Sequence, residues 1–223
     1  MKTVFLFILF VVQIAAPLLF AQSAATLAPD AINQHRLLLN NPVLVSPANA
    51  TPLGRNWFRL ETDIHVFTDQ ADFRQIADVL LDLENQDKIY DSKKSKLTAS
   101  IVSRSEVETI VDFVSISIGP FGIQYRTPYR SSVRHKQTDT KISVEFMQLT
   151  SDSSSNRDMR NFYSTQYAEE VIVEGRRYTY IRIYTISDVN AYILSGARRI
   201  LEREASPVCI EGMQLIINAA INY

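Results

Sequence analysis

Phe58, Leu60, Thr62, Ile64 and Val66 alternate with Arg59, Glu61, Asp63 and His65. A period of two with one wet side predicts a half-buried strand. Thr68 and Asp69 then offer capping oxygens, and Phe73, Ile76, Ala77, Leu80 and Leu83 recur at helical spacing. The spacing predicts an amphipathic helix over 70–85. A series of strands follows. Leu97–Arg104 and Val107–Ile118 flank a polar turn at Ser105-Glu106, and Gly119-Pro120-Phe121-Gly122 breaks or bends the chain. Phe121, Ile123, Tyr125, Thr127 and Tyr129 alternate with Gln124, Arg126 and Arg130. Ile142, Val144 and Phe146 alternate with Ser143 and Glu145, and Ser151–Arg157 is polar and turn-like. Phe162–Glu174 and Arg177–Ser187 predict a last hairpin around Glu174-Gly175. Two apolar helices end the pattern. The first spans Val189–Glu204; the second spans Val208–Ala220 and opens on Ser206 as N-cap with Pro207 at its first position.

One strand, a helix, a run of antiparallel strands and terminal helices make an α+β domain. A curved sheet of about six to seven strands wrapped around a long C-terminal helix is the expected architecture. Its concave face is too wide for one helix to fill, so an apolar cavity is expected there.

The N-terminus changes the picture of where the domain works. Lys2 precedes an apolar run from Val4 to Ala21, broken only by Gln13 and Pro17, and small residues follow at Ala21-Gln22-Ser23. That is the pattern of a secretory signal peptide over 1–23, cleaved after Ser23 or after Ala25. An uncleaved anchor is the alternative. The chain is expected to be exported, to a periplasm or to the outside. Residues 24–55, with Pro29, Pro42, Pro47 and Pro52, read as a linker, and the domain as 56–223. Cys209 is the one cysteine, so no intrachain disulfide forms, and its apolar helix marks it as a small buried hydrophobe.

The net charge is −1, which gives no electrostatic case for nucleic acid. The three histidines, His35, His65 and His135, lack ligand spacing, so no metal site is expected, and His65 and His135 read as solvated surface. No nucleophile elbow, dinucleotide fingerprint or phosphate loop appears, and no cofactor is expected. Asp112 and Glu145 lie in strands. Pointing inward, either would be an acid–base group, and pointing outward, a solvated carboxylate. Arg126, Arg130, Arg134 and Lys136 form a basic strand face. Arg198, Arg199 and Arg203 beside an apolar stripe would suit a brief membrane contact, a signal that Glu202 and Glu204 dilute.

Three stretches resemble the START-like helix-grip superfamily, polyketide-cyclase-like members included. They are Phe73–Tyr90 with Asp82-Leu83-Glu84-Asn85, the hairpin Tyr163–Tyr184 turning at Gly175-Arg176-Arg177-Tyr178, and the proline-broken ending Ile193–Ala220. The resemblance covers about 57–222. It implies a lipid, sterol or other apolar ligand held between sheet and grip helix, in many members without catalysis. Phe121, Tyr125, Phe146, Tyr180, Tyr184, Met213 and Ile217 are the expected liners, tyrosines offering apolar area and a hydroxyl for a ligand head. Ordinary core packing is the other reading of each. A cyclase- or hydratase-like enzyme and a filled interaction module are the alternatives to a carrier.

Overall fold

The computed structural model describes residues 38–44, 48–92, 95–118, 124–149, 159–191 and 197–223, without the side chains of 117, 118, 124, 125 and 197. Nine strands form one sheet: β1 (Val43–Leu44), β2 (Asn49–Gly54), β3 (Trp57–Thr68), β4 (Ser95–Arg104), β5 (Thr109–Ile118), β6 (Gln124–Gln137), β7 (Lys141–Gln148), β8 (Met159–Val173) and β9 (Arg176–Asn190). Among the described residues three helices accompany them: α1 (Phe73–Leu81), α2 (Gln86–Ile89) and α3 (Ala197–Ile221). The strand order is β1-β3-β9-β8-β7-β6-β5-β4, with β2 also on β3. Every pairing is antiparallel.

The α+β architecture stands as the sequence pattern predicts, with more strands. The surplus comes from the stretch expected as linker, because Val43–Leu44 and Asn49–Gly54 pair along β3. Prolines at positions 42 and 52 disguise them, yet an edge strand tolerates proline because one side needs no donor. The signal-peptide and early linker stretch, 1–37, lies outside the described residues.

The helices differ from expectation in four places. The first helix starts at Phe73, not near 70, because Asp72 and Gln75 form a capping box. Gln75 N donates to Asp72 Oδ1 at 3.0 Å, and Asp72 N donates to Gln75 Oε1 at 2.9 Å. It stops at Leu81, and Gln86–Ile89 is a separate turn of helix. Of the helix expected over Val189–Glu204, residues 197–204 are helical as the start of α3, 192–196 lie outside the described residues, and 189–190 belong to β9. β9 continues to Asn190, anchored by Asp188, whose buried carboxylate accepts from Arg59 Nε at 2.9 Å and Asn161 Nδ2 at 2.7 Å. Finally, α3 runs unbroken through Pro207. Proline removes one internal hydrogen bond there, and the helix continues past it to Ile221.

Alternation places Ile64, Val66, Ile181, Ala168, Ile142, Val144, Phe146, Val133, Val111 and Phe113 on one face of the sheet. They form a single buried cluster with Ile76, Val79 and Leu80 of α1 and Met213, Ile216, Ile217 and Ala220 of α3. The register holds them in line: Val66 faces Ile181, Ile181 faces Ala168, and Ala168 faces Ile142. The β8–β9 hairpin turns at Glu174-Gly175, both at positive φ (50° and 78°), the two-residue turn that matches strand twist.

Replacing the fully buried Ile217 with alanine is expected to cost about 2–5 kcal/mol, and Asp72→Ala about 1 kcal/mol. Urea denaturation measures both. Equal losses would contradict the division between core and cap.

Candidate functional site: the groove beneath the first half of α3

The last helix is not seated evenly. From Arg198 to Gly212 no described side chain is buried, whereas Met213, Ile216, Ile217 and Ala220 are. The first half instead leans on the β2 edge, where the Ala50 amide donates to Glu202 Oε1 at 3.3 Å. The sheet shows the same division. Near α1 its inner face is buried. Toward the strand ends at Ile118, Gln124, Gln148, Met159 and Asn190, inner-face apolar groups are only half covered: Leu97, Ala99, Tyr129, Phe162 and Ile183. Tyr90, just after α2, joins them and touches the helix, its ring 4.0 Å from where a Cβ on Gly212 would sit. Cys209 faces the same space, half buried.

The groove so formed is aromatic on one side. Tyr129 stacks on Phe113 at 5.3 Å between ring centroids and meets Phe162 at 5.2 Å, while Phe113 meets Phe146 at 6.1 Å. The polar groups on its sheet wall are neutral. Burial pushes the Tyr90 hydroxyl up to about 12, which the Gln166 side chain beside it partly offsets. Burial, with Tyr90 nearby, raises Tyr129 further. Burial also raises the Cys209 thiol, with Thr62 as a weak opposing partner, so it stays a protonated thiol and a poor nucleophile. Among the described residues no group of three or more His, Cys, Asp or Glu side chains could hold a metal ion.

The antiparallel sheet and the long terminal helix packed on it have a solved counterpart. The chain is similar to human STARD10, at 10% identity over 79% of this chain and 74% of that one, with a TM-score of 0.53. The chain has a helix-grip fold. Looser similarities are to an aromatase/cyclase from Streptomyces sp. R1128 (12% identity, 74% and 92% covered, TM-score 0.46) and to a START superfamily protein from Mycobacterium smegmatis (11%, 70% and 94%, 0.42). No protein-family model matches the sequence, and no curated protein matches it.

The helix-grip frame separates the seven expected liners. Phe146, Met213 and Ile217 face inward but are buried in the packed half, as core residues. Tyr180 and Tyr184 are corrections: they share the outer face with Asp63 and His65, opposite Ile181 and Ile183, which face the grip helix. Tyr125 lies in β6 opposite Ser117, its side chain outside the described residues, as is Phe121 entirely. The bend at 119–122 and the turn-like stretch 151–157 are likewise outside them.

His65 is a second correction. It lies on the polar side as expected but is only 3% exposed. Its Nε2 is 3.0 Å from Asp63 Oδ1 and its Nδ1 is 2.6 Å from the Tyr180 hydroxyl. A carboxylate can only accept, so Nε2–H donates to Asp63; in the neutral ring Nδ1 then accepts from the Tyr180 hydroxyl. Arg182 completes the set with two 2.8 Å bonds to Asp63. Asp112 also lies outward, paired with Arg130 at 2.6 and 2.9 Å, and Glu145 shares that face. The basic strand face is partly neutralised in the same way, with Arg134 bonded to Glu108. On α3, Arg198 pairs with Glu202 and Arg203 with Glu204, which leaves little of the cationic stripe expected for membrane contact. Tyr90, Leu97, Tyr129, Phe162, Gln166 and Ile183 are groove residues the expectation missed. The signal for Ile183 was Arg182, which marks its alternating series, Tyr180 and Tyr184 included, as the outer one.

A polar surface cleft of about 480 Å³ opens at the other end of the strands, lined by Asp69, Asp72, Asp139, Glu170, Arg74 and Arg177 among others. Its charge does not suit an apolar ligand.

Burial alone would raise the Asp63 carboxyl, but hydrogen bonds from His65 and Arg182 hold it below the usual 3.8. A depressed carboxylate stabilises the fold fully above the unfolded value and loses that contribution as pH falls through the folded one. Asp63→Asn is therefore expected to be less stable than the wild type at pH 7, with the gap narrowing by about pH 3. Urea midpoints across that range test it, and a constant gap would contradict the assignment.

Proposed function

We propose that the chain is a carrier or binding protein that holds an apolar small molecule, of lipid character, between the sheet and the first half of the grip helix. The observation that carries this reading is the uneven seating of α3. A helix whose only role is to close a core buries a continuous stripe, whereas here every described side chain from Arg198 to Gly212 is at most half-buried and full burial begins at Met213. The half-covered Leu97, Tyr129, Phe162 and Ile183 supply apolar wall. Each Å² of such surface taken from water by a ligand contributes roughly 25 cal/mol. The enzymatic alternative has no carboxylate to work with from Asp112 or Glu145, both on the outer face.

The same reading takes the chain as exported, on the strength of the pattern over residues 1–23. No helix among the described residues is long and apolar enough to cross a membrane. Expression in an export-competent host is expected to yield a mature N-terminus at Ala24, or at Thr26 for the alternative cleavage. N-terminal sequencing reads this directly, and an intact Met1 in the exported fraction would contradict it.

Filling the groove tests the binding role. Ile183→Trp and Leu97→Trp are expected to weaken Nile red binding by at least about tenfold, since each removes apolar space a ligand would occupy. Circular dichroism confirms that the variants are folded. Unchanged affinity in both folded variants would place binding elsewhere or nowhere.

A further inference from the structure

The groove's chemistry restricts its ligand beyond "apolar". Residue alternation sets which positions face it, and across seven strands none is charged. They are Phe58, Leu60 and Thr62 on β3, and Ile183, Thr185, Ser187 and Val189 on β9. On β8 and β7 they are Phe162, Ser164, Gln166 and Gln148, and on β6, β5 and β4 the facing set is Thr127, Tyr129, Ser131, Phe113, Ser115, Leu97 and Ala99. The chain from Phe113 through Tyr125 contains no Asp, Glu, Lys, Arg or His. On the helix, Glu202 is occupied by Ala50 N and Arg198. Glu211 sits two residues from both Cys209 and Met213, and so turns away from the stripe those two share.

What the groove does offer is neutral hydrogen bonding. The Tyr129 hydroxyl makes no hydrogen bond to any described residue, although its ring is fixed between Phe113 and Phe162. Two positions along the same face, the Ser131 hydroxyl is fully buried and has no partner. Buried polar groups in folded proteins are overwhelmingly paired, so an unpaired pair of hydroxyls on one apolar wall marks a place where a partner is missing. An ionised head in the same place would lose its hydration with no opposite charge to replace it.

Building on the carrier reading, we propose that the ligand is an uncharged amphiphile, with an apolar body along Leu97, Phe162 and Ile183 and a hydroxyl or carbonyl head hydrogen-bonded to Tyr129. Among the described residues no unpaired charged side chain faces this space, which disfavours fatty-acid anions and cationic amphiphiles.

The test is displacement of Nile red from the purified full-length chain by four probes of one chain length: 1-dodecanol, dodecanoate, dodecylammonium and n-dodecane. Dodecanol is expected to displace at least about tenfold better than either ion at pH 8. Tyr129→Phe is expected to weaken dodecanol about fivefold to tenfold and to leave dodecane unchanged, a split that a general packing defect would not produce. Dodecanoate or dodecylammonium binding as tightly as dodecanol overturns the neutral-head proposal while leaving the apolar site intact. So does a Tyr129→Phe variant with unaltered dodecanol affinity. Failure of Nile red and all four probes to bind overturns the carrier reading itself, and the head-group proposal with it.

Discussion

The clamp between Met213–Ala220 and the inner face of the sheet is the contact on which the rest depends. Four side chains of one helix, all at most 1% exposed, meet Ile64, Val66, Val144 and Phe113 across a single cluster that α1 also enters. Apolar burial of this kind is the dominant favourable contribution to folding. Because it is concentrated at one end of the helix, the other end is free to stand away from the sheet. Stability and ligand space are thus assigned to different halves of the same element. The unbroken passage through Pro207 belongs to this division: the proline falls in the loosely seated half, where the helix is held at the β2 edge and a lost internal bond matters least.

The two faces of the sheet carry opposite chemistry. Inward, the strands present aliphatic and aromatic groups with neutral polar atoms. Outward, long strands are tied laterally by Asp63–Arg182, Asp188–Arg59, Asp112–Arg130 and Glu108–Arg134. Exposed members of that set contribute little each. The Asp63–His65–Tyr180–Arg182 group is different, since His65 and Tyr180 are buried and every partner is hydrogen-bonded. Such a network fixes the β3–β9 register, and register decides which residues reach the groove.

Much of the fold was legible from alternation, because one wet and one dry face leave a period of two. β3, β7 and the β8–β9 hairpin were readable in this way, and so was the helix of the grip. Where both faces carry bulky groups the period loses its sign. In Tyr178–Ile186 aromatic and aliphatic series interleave, and tyrosines were assigned inward on the strength of their rings. The buried outer face around His65, Phe67 and Tyr180 has no signature in single-strand periodicity, since it depends on partners 115 residues apart in sequence. The edge strands β1 and β2 were hidden by prolines that an edge tolerates. The groove was the least legible part. Half burial is a property of how a helix is seated, and nothing in the residues of α3 alone separates a tight half from a loose one.

The central claim is that apolar space lies under the first half of α3 and not elsewhere. A crystal of the protein soaked with 1-bromododecane, measured at the bromine absorption edge, tests it most directly. The account predicts anomalous density between Cys209 on the helix and Tyr129 and Ile183 on the sheet, with the chain following the inner face. Bromine confined to the outer face or to the polar cleft near Asp69, or a groove closed by side chains with no bromine at all, would contradict it.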